Sequence, residues 1–494
     1  MSKVVLVKDD CYSYYTFGSF RPSEVYPEYP FDEIGEGKNK IYEMVRKSFY
    51  MMGLDADNFG RKEWNPLKAY IKPGDTVLLK PNLVMDYNQS GEGTDCLFTQ
   101  PSVVAAVLDY VYIALQGNGK IIVGDAPMQE CNFEKLVMES GYDRLIKYYS
   151  EKCSRNIQFE FVDFRGVTST VSGGVHYYNE RVNNGTVIDL GDESEFGSLN
   201  AEQYENMRIT NYDPALLLKH HSSSKNEYCI SNYILEADVI INMPKPKTHR
   251  KAGVTISMKN LVGINSRKEY LPHHTKGASD EQGDEYLSKS RLKRFRAWVL
   301  DKRNYHSQTS KKYKYAKFYG RLLNAVTFLI HFNDNDKFAE GSWYGNKTIS
   351  KTIVDLNKIL FYADKNGVMR ESVQRKYFIV ADMIVSGEKE GPVAPSPKKM
   401  GVVAMGDNPV FFDEVIAKLM GAKIENIDTI NCAKIKRSKY NLINENDARD
   451  VISNDERYNK TLEQISEEDL FYFIPTEGWK KVFYKKRNGS NNEC

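Results

Sequence analysis

Short apolar runs rich in β-branched residues alternate along the chain with longer stretches whose apolar positions recur every three or four residues. Val4-Val5-Leu6-Val7, flanked by Lys3 and Lys8, predicts a strand over residues 4–8. Helical spacing follows over 41–52, and a strand over 75–80 sits behind the turn Lys72-Pro73-Gly74-Asp75. Gln100-Pro101-Ser102 opens a helix that reaches about residue 116, where Gly117-Asn118-Gly119 ends it. A strand over 120–124, a helix over 132–149 and a strand over 159–162 come next. The rhythm resumes with a strand over 236–243 and a helix over 254–262. It closes with a helix over 348–362, strands over 377–385 and 401–405, and a helix over 409–420. Strand–helix–strand units with short connections predict an α/β fold, a mainly parallel sheet flanked by helices.

Two long insertions interrupt that rhythm. Residues 166–218 are rich in Gly, Asn, Ser and Thr and read as hairpin-bearing, whereas 265–340 is basic and aromatic. The expected organisation is a βαβ portion over 1–165, the first insertion, and a central strand with a Lys/His segment over 219–264. The second insertion, the C-terminal part of the core over 341–442 and a wrapping extension over 443–494 follow, with a disordered tip expected over 487–494. No internal repeat is evident.

Composition changes this picture little. Over 494 residues, 68 Lys and Arg balance 66 Asp and Glu, so no global field calls for nucleic acid or a membrane. The first apolar stretch is too short for a secretory signal, and no apolar run approaches the ~20 residues of a membrane span. A cytoplasmic protein is expected. The seven cysteines are scattered without a Cys-x-x-Cys pair, so they read as reduced thiols and an iron–sulfur cluster is not expected.

Polar residues matter through their position. Lys80-Pro81-Asn82, Gly124-Asp125-Ala126-Pro127, Pro244-Lys245-Pro246-Lys247-Thr248-His249, Ser386-Gly387-Glu388-Lys389-Glu390-Gly391-Pro392 and Gly406-Asp407-Asn408-Pro409 each follow a strand. In a parallel sheet these five clusters would converge on the carboxyl edge, where open α/β sheets bind ligands. The Lys/His cluster differs in kind, because two prolines fix the direction of closely spaced cations. A helix starting near Val254 would add unpaired N–H groups, a setting for phosphate or carboxylate. Glu388 and Glu390 are expected as the acidic wall opposite Lys245, Lys247 or Lys259. Asp407-Asn408-Pro409 reads first as a helix cap, and Asp413 could face the same crevice or solvent. His273-His274, with Asp280, Asp284 and Glu285 nearby, gives only a weak metal reading, because adjacent histidines rarely converge on one ion. No phosphate-binding P-loop, nucleophile elbow or dinucleotide fingerprint is present.

The ordered set Lys80-Pro81-Asn82-Leu83, Gly124-Asp125, the run from Ala237 through His249, Met258-Lys259-Asn260-Leu261-Val262-Gly263, Glu388 through Pro392, and Gly406-Asp407-Asn408-Pro409 with Asp413 resembles the domain of unknown function 362 family. Trp343-Tyr344-Gly345-Asn346 is similar to a longer subgroup. The resemblance implies a bacterial or archaeal protein of unsettled activity. Some relatives carry ferredoxin-like cysteine motifs that this chain lacks. Strand order and the Lys/His segment are also loosely similar to the amino-terminal part of the nickel-pincer lactate racemases, an architectural likeness from which no residue is carried over.

The expectation is an enzyme acting on a small phosphorylated or carboxylated substrate. His249, Lys247 and Glu390 are its candidate catalytic residues, and Lys80, Asn82, Lys245, Lys259 and Asn260 its anion-binding set. Asp125, Glu388 and Asp407 are candidate ligands for a divalent cation. The competing expectation is a non-catalytic anion-binding or scaffolding protein. Residues 289–321 interleave a dozen Lys and Arg with seven aromatics, and the run 325–330 continues apolar. That segment reads as an ordinary basic helical hairpin, a peripheral membrane contact over 289–330 or, least of the three, a nucleic-acid contact.

Overall fold

A computed structural model describes residues 2–14, 20–31, 33–153, 156–182, 184–334, 336–443 and 449–486. The expected tip over 487–494 lies outside them. Ten strands of the core are β1 (Ser2–Lys8), β2 (Thr76–Pro81), β3 (Gly119–Asp125), β4 (Ile157–Asp163), β5 (Val239–Met243), β6 (Lys247–His249), β7 (Gly253–Thr255), β8 (Lys376–Glu390), β9 (Ala394–Gly406) and β10 (Arg449–Ser453). They form one sheet in the order β10-β1-β9-β8-β5-β2-β3-β4, with β6 and β7 added beside the end of β8.

Parallel pairing runs from β8 through β5, β2 and β3 to β4, so the molecule is α/β with a mainly parallel sheet. β9 runs the other way, antiparallel to both β8 and β1. Only residues 391–393 join β8 to β9. A parallel return needs a crossover of a dozen or more residues, so a link this short forces a hairpin. One consequence is a correction to the expected five-part rim. Asp407, just past β9, lies at the amino edge, where its carboxylate accepts the Lys3 N–H at 3.4 Å. The outer halves of β8 and β9 project beyond the parallel strands as a two-stranded arm, with Glu390 opposite Ala394.

Alternate residues of each strand feed opposite cores. In β2, Val77 and Leu79 join one apolar cluster and Leu78 the other. The first cluster is covered by α1 (Lys40–Met51) and α2 (Pro101–Leu115), and two further helices lie beyond β3, α3 (Phe133–Ser140) and α4 (Tyr142–Lys152). The single helix expected over 132–149 is broken at Gly141, whose φ of 86° no helix accommodates. The helix expected over 254–262 is also corrected. Residues 253–255 are spent on β7, and only the single turn α5 (Ser257–Asn260) follows, before a 3₁₀ segment at Leu261–Ile264.

The first insertion carries the hairpin Val167–Ser172 with Val175–Glu180 and a small core around Tyr204, Met207 and Tyr212. The second carries a helical hairpin, α6 (Arg291–Asn304) and α7 (Tyr313–Asn333), closed on Val299, Leu300 and Leu323. Opposite α1 and α2 the sheet is covered by α8 (Thr348–Tyr362) and α9 (Pro409–Met420). The C-terminal segment adds β10 beside β1 and seats Trp479 against Gly253, its indole N–H donating to the Arg250 carbonyl at 2.8 Å.

Candidate functional site

Five of the expected residues meet where β2, β3 and β5 end. Lys80 Nζ lies 2.6 Å from Asp125 Oδ1, and both side chains are almost fully buried. Asp125 also accepts the backbone N–H of Leu83 at 2.7 Å and of Ala126 at 2.9 Å. Gly263 packs so closely that a Cβ there would overlap the Asp125 carboxylate and crowd Lys80 Nζ. Burial pulls the Lys80 pKa down and pushes that of Asp125 up, and the attraction between them opposes both shifts.

An asparagine chain extends this pair. Asn260 Oδ1 accepts from Lys80 Nζ at 3.1 Å and from Asn82 Nδ2 at 2.8 Å. Its amide donates to Asn242 Oδ1 at 2.7 Å. Asn82 Oδ1 in turn accepts from Lys247 Nζ at 2.7 Å, and the Leu97 carbonyl takes a second bond from that ammonium. Lys247 has no carboxylate partner among the described residues, and burial, with Lys245 next, lowers it to about 7. Lys245 is sealed between the Asp382 carboxylate at 2.9 Å and the Tyr14 hydroxyl at 2.6 Å. Lys245 and Lys247 are both 0% exposed. The polar network is thus satisfied internally, and these two lysines present no charge to a ligand in this state.

The cations that do remain available lie one layer outward. Lys259 is half-buried and makes no hydrogen bond or ion pair among the described residues. Burial, with the nearby Lys80 charge, lowers it to about 8. His249 Nδ1 accepts the backbone N–H groups of Lys251 and Ala252, both at 3.1 Å. That arrangement leaves the proton on Nε2, which no described residue accepts. Burial and then Lys259, Arg250, Lys251 and His273 push its pKa well below the usual histidine value, so the ring is neutral. His273 has the opposite tautomer. Its Nδ1–H donates to the Leu271 carbonyl at 2.6 Å, which leaves a bare lone pair on Nε2. Burial, Lys268 and Lys251 hold it well below the usual range too.

Lys251 reaches the Glu340 carbonyl, and burial lowers it to about 8. Burial pushes the Glu340 carboxyl up, but Arg296 at 2.7 Å and Lys251 outweigh it and hold the group ionised. Lys268 stands 6.0 Å over the Tyr212 ring, half-buried. Chemically, the outer cluster offers a free ammonium, an imidazole N–H donor and an imidazole acceptor, within a set of cations that exceeds its acids.

The remaining expected residues are elsewhere. Glu390 is exposed on the arm and accepts the Glu477 N–H at 2.9 Å. Glu388 accepts the Ile474 N–H at 2.9 Å and pairs with Lys398 at 3.3 Å. The backbone of this stretch does run beside the Lys/His segment, with the Lys389 carbonyl accepting the Thr248 hydroxyl at 2.8 Å, but both carboxylates turn instead to the C-terminal extension. Nor does α5 aim its N-terminus at a ligand, since Asp413 takes the N–H groups of Ser257 at 2.8 Å and Met258 at 3.1 Å. Asn408 caps α9 by accepting from Val410 and Phe411. Asp125, Glu388 and Asp407 do not converge, and no described group of three His, Cys, Asp or Glu could hold a metal ion. His273 and Lys268, whose fields act with that of Lys259, were not grouped with it, because no sequence spacing marks that proximity.

The model of the domain of unknown function 362 matches residues 77–182 and 194–418, more than half of the chain. The chain belongs to this family. Among curated proteins it is similar to the thylakoid-associated protein sll1697 of Synechocystis, 26% identical over 211 residues. That match covers 43% of this chain and 46% of the relative, so the chain spans under half of the relative's length. Of solved structures, a Thermotoga maritima protein is similar with a TM-score of 0.27 and 11% identity, over 73% of this chain and 54% of that one. The lactate racemase apoprotein of Thermoanaerobacterium thermosaccharolyticum gives a TM-score of 0.21 and 14% identity, over 46% and 37%.

Proposed function

We propose that this domain of unknown function 362 protein is an enzyme that binds a small phosphorylated or carboxylated compound against Lys259 and works on it by acid–base chemistry. One observation carries the reading: Lys259 is a partly accessible ammonium with no partner among the described residues, flanked by further cations. Leaving a charge desolvated and unpaired is costly unless an anion completes the site. The His249 Nε2–H supplies a neutral donor to the same anion, and the His273 Nε2 lone pair is the proton acceptor. Lys80, Asn82, Asn260 and Asp125 position Lys259 through the turn at Asn260-Leu261-Val262-Gly263, and are positioning residues.

Isothermal titration with inorganic phosphate and, separately, citrate tests this. The expected result is binding to the wild-type protein that Lys259→Met weakens by roughly 10–150-fold, the worth of a charge-assisted hydrogen bond. Equal binding by both proteins overturns the assignment. Affinity is expected to fall as pH rises through about 8, where Lys259 loses its proton. For location we infer a cytoplasmic protein with peripheral membrane attachment. Support comes from the thylakoid-associated name of the Synechocystis relative. No described helix is long and apolar enough to cross a membrane.

A further inference from the structure

We propose that the outer face of the α6–α7 hairpin is a docking surface for an anionic lipid membrane. The inference deepens the peripheral-attachment reading and stands apart from the anion site. Large apolar side chains left exposed are concentrated here: Phe295, Trp298, Tyr305, Tyr315, Phe318, Phe328, Leu329 and Phe332 all fall within 38 residues. Single exposed apolar residues need no explanation, but a contiguous set does.

Spacing shows that the set is one face. Along α7, exposed Tyr315, Phe318, Ala325, Leu329 and Phe332 recur on one side of the helix, and half-buried Leu322 lies between them, packed also against the hairpin core. The buried residues of α7, Ala316, Leu323, Val326 and Ile330, form an adjoining stripe, with Leu323 packed on Val299 and Leu300 of α6. Along α6, Phe295 and Trp298 are one turn apart, with rings stacked at 5.7 Å. Ring contacts join the two helices, from Trp298 to Tyr319 at 6.0 Å and from Tyr319 to Phe318 at 5.4 Å.

Charge then selects the occupant. Residues 302–333 carry seven Lys and Arg and no Asp or Glu. Lys314, Lys317 and Arg321 border the stripe in its first half, and from Leu322 to Phe332 no Lys or Arg occurs. A second copy of the chain would set these like charges against one another. Anionic headgroups neutralise them, while aromatic and aliphatic side chains enter the headgroup–acyl boundary. The helix is about 31 Å long at 1.5 Å per residue, suited to lying in the interface plane. Its attachment to the body is firm. Lys293 pairs with Asp336 at 2.5 Å, Arg296 with Glu340 at 2.7 Å and Arg208 with Asp301 at 3.1 Å.

The structure supplies its own reporter. Trp64, Trp343 and Trp479 are buried, and Trp298 is 42% exposed. Full-length protein is mixed with vesicles of phosphatidylcholine alone or of phosphatidylcholine mixed with anionic phosphatidylglycerol. The expected result is flotation and a blue shift of tryptophan emission with the anionic vesicles, and neither with phosphatidylcholine. Phe318→Ser/Leu329→Ser/Phe332→Ser is expected to abolish both signals. Lys314→Gln/Lys317→Gln/Arg321→Gln is expected to weaken binding roughly a hundredfold, at about 1 kcal/mol per charge. All six side chains are on the outer face, and an unchanged thermal midpoint checks that both variants fold. Wild-type protein that fails to float overturns the attachment reading itself. Flotation equal in the wild type and both variants overturns only this face. A dimer seen by light scattering, dissolved by the serine variant and blind to vesicles, assigns the stripe to a second copy and overturns the lipid proposal.

Discussion

Lys80 and Lys259 stand on either side of one turn, yet their surroundings give them opposite tasks. Lys80 is enclosed, 2.6 Å from Asp125, and every neighbour it touches is an acceptor. Lys259 keeps part of its surface open and has no acceptor among the described residues. Removing one member of a buried pair strands the other, so Lys80→Met is expected to cost about 3–5 kcal/mol in urea unfolding. Lys259→Met removes an unpaired, partly desolvated charge and is expected to leave the stability of the ligand-free protein unchanged or raised. A similar loss in both variants would place Lys259 in the structural network. The difference between these lysines was not legible in the sequence. Lys80, Asn82, Asp125, Lys245 and Lys247 are polar residues beside strand ends, and Lys259 and Asn260 follow in the next helical stretch, so spacing alone gives all of them the same reading. Which are sealed depends on long-range partners such as Asp382 and Tyr14 for Lys245, more than a hundred residues away in either direction.

At the scale of elements, the short turn α5 shows how a carboxylate inside the protein pre-empts a ligand. Asp413, on the first turns of α9, takes the Ser257 and Met258 N–H groups that the sequence offered to an anion. Burial pushes its pKa up to about 7, opposed by those hydrogen bonds. An acid whose folded pKa is raised binds more protons folded than unfolded between about 4 and about 7, so its contribution to stability falls as pH rises through that window. Asp413→Asn does not titrate. Urea unfolding at pH 5 and pH 7.5 is therefore expected to show the gap between wild type and variant moving in the variant's favour at the higher pH. A gap independent of pH would mean that Asp413 is ionised throughout. The missed helix boundary has a local cause as well: Gly253 at φ 78° turns the chain into β7, and the apolar run after it reads equally as helix or strand.

Across the whole molecule, the α/β layering was readable because short, continuous β-branched runs, the mark of strands buried on both faces, alternate with stretches of helical period. The direction of β9 was not, since a strand's composition is the same whichever way it runs. That single reversal carries Asp407 to the amino edge, and the length of β8 carries Glu388 and Glu390 out along the arm to the C-terminal extension. What stays at the carboxyl edge is a satisfied inner network, with an outer cationic cluster beneath the second insertion. Lys251 and Arg296 both meet Glu340, so the same short segment ties the Lys/His region to the base of the α6–α7 hairpin. The anion site and the base of the hairpin are therefore neighbours. An anion is proposed to complete the Lys259 cluster. Anomalous diffraction from crystals soaked in selenate tests it most directly. The expected result is a selenium peak whose selenate oxygens lie within hydrogen-bond reach of Lys259 Nζ and His249 Nε2, and a fully occupied peak elsewhere with none at Lys259 would overturn the assignment.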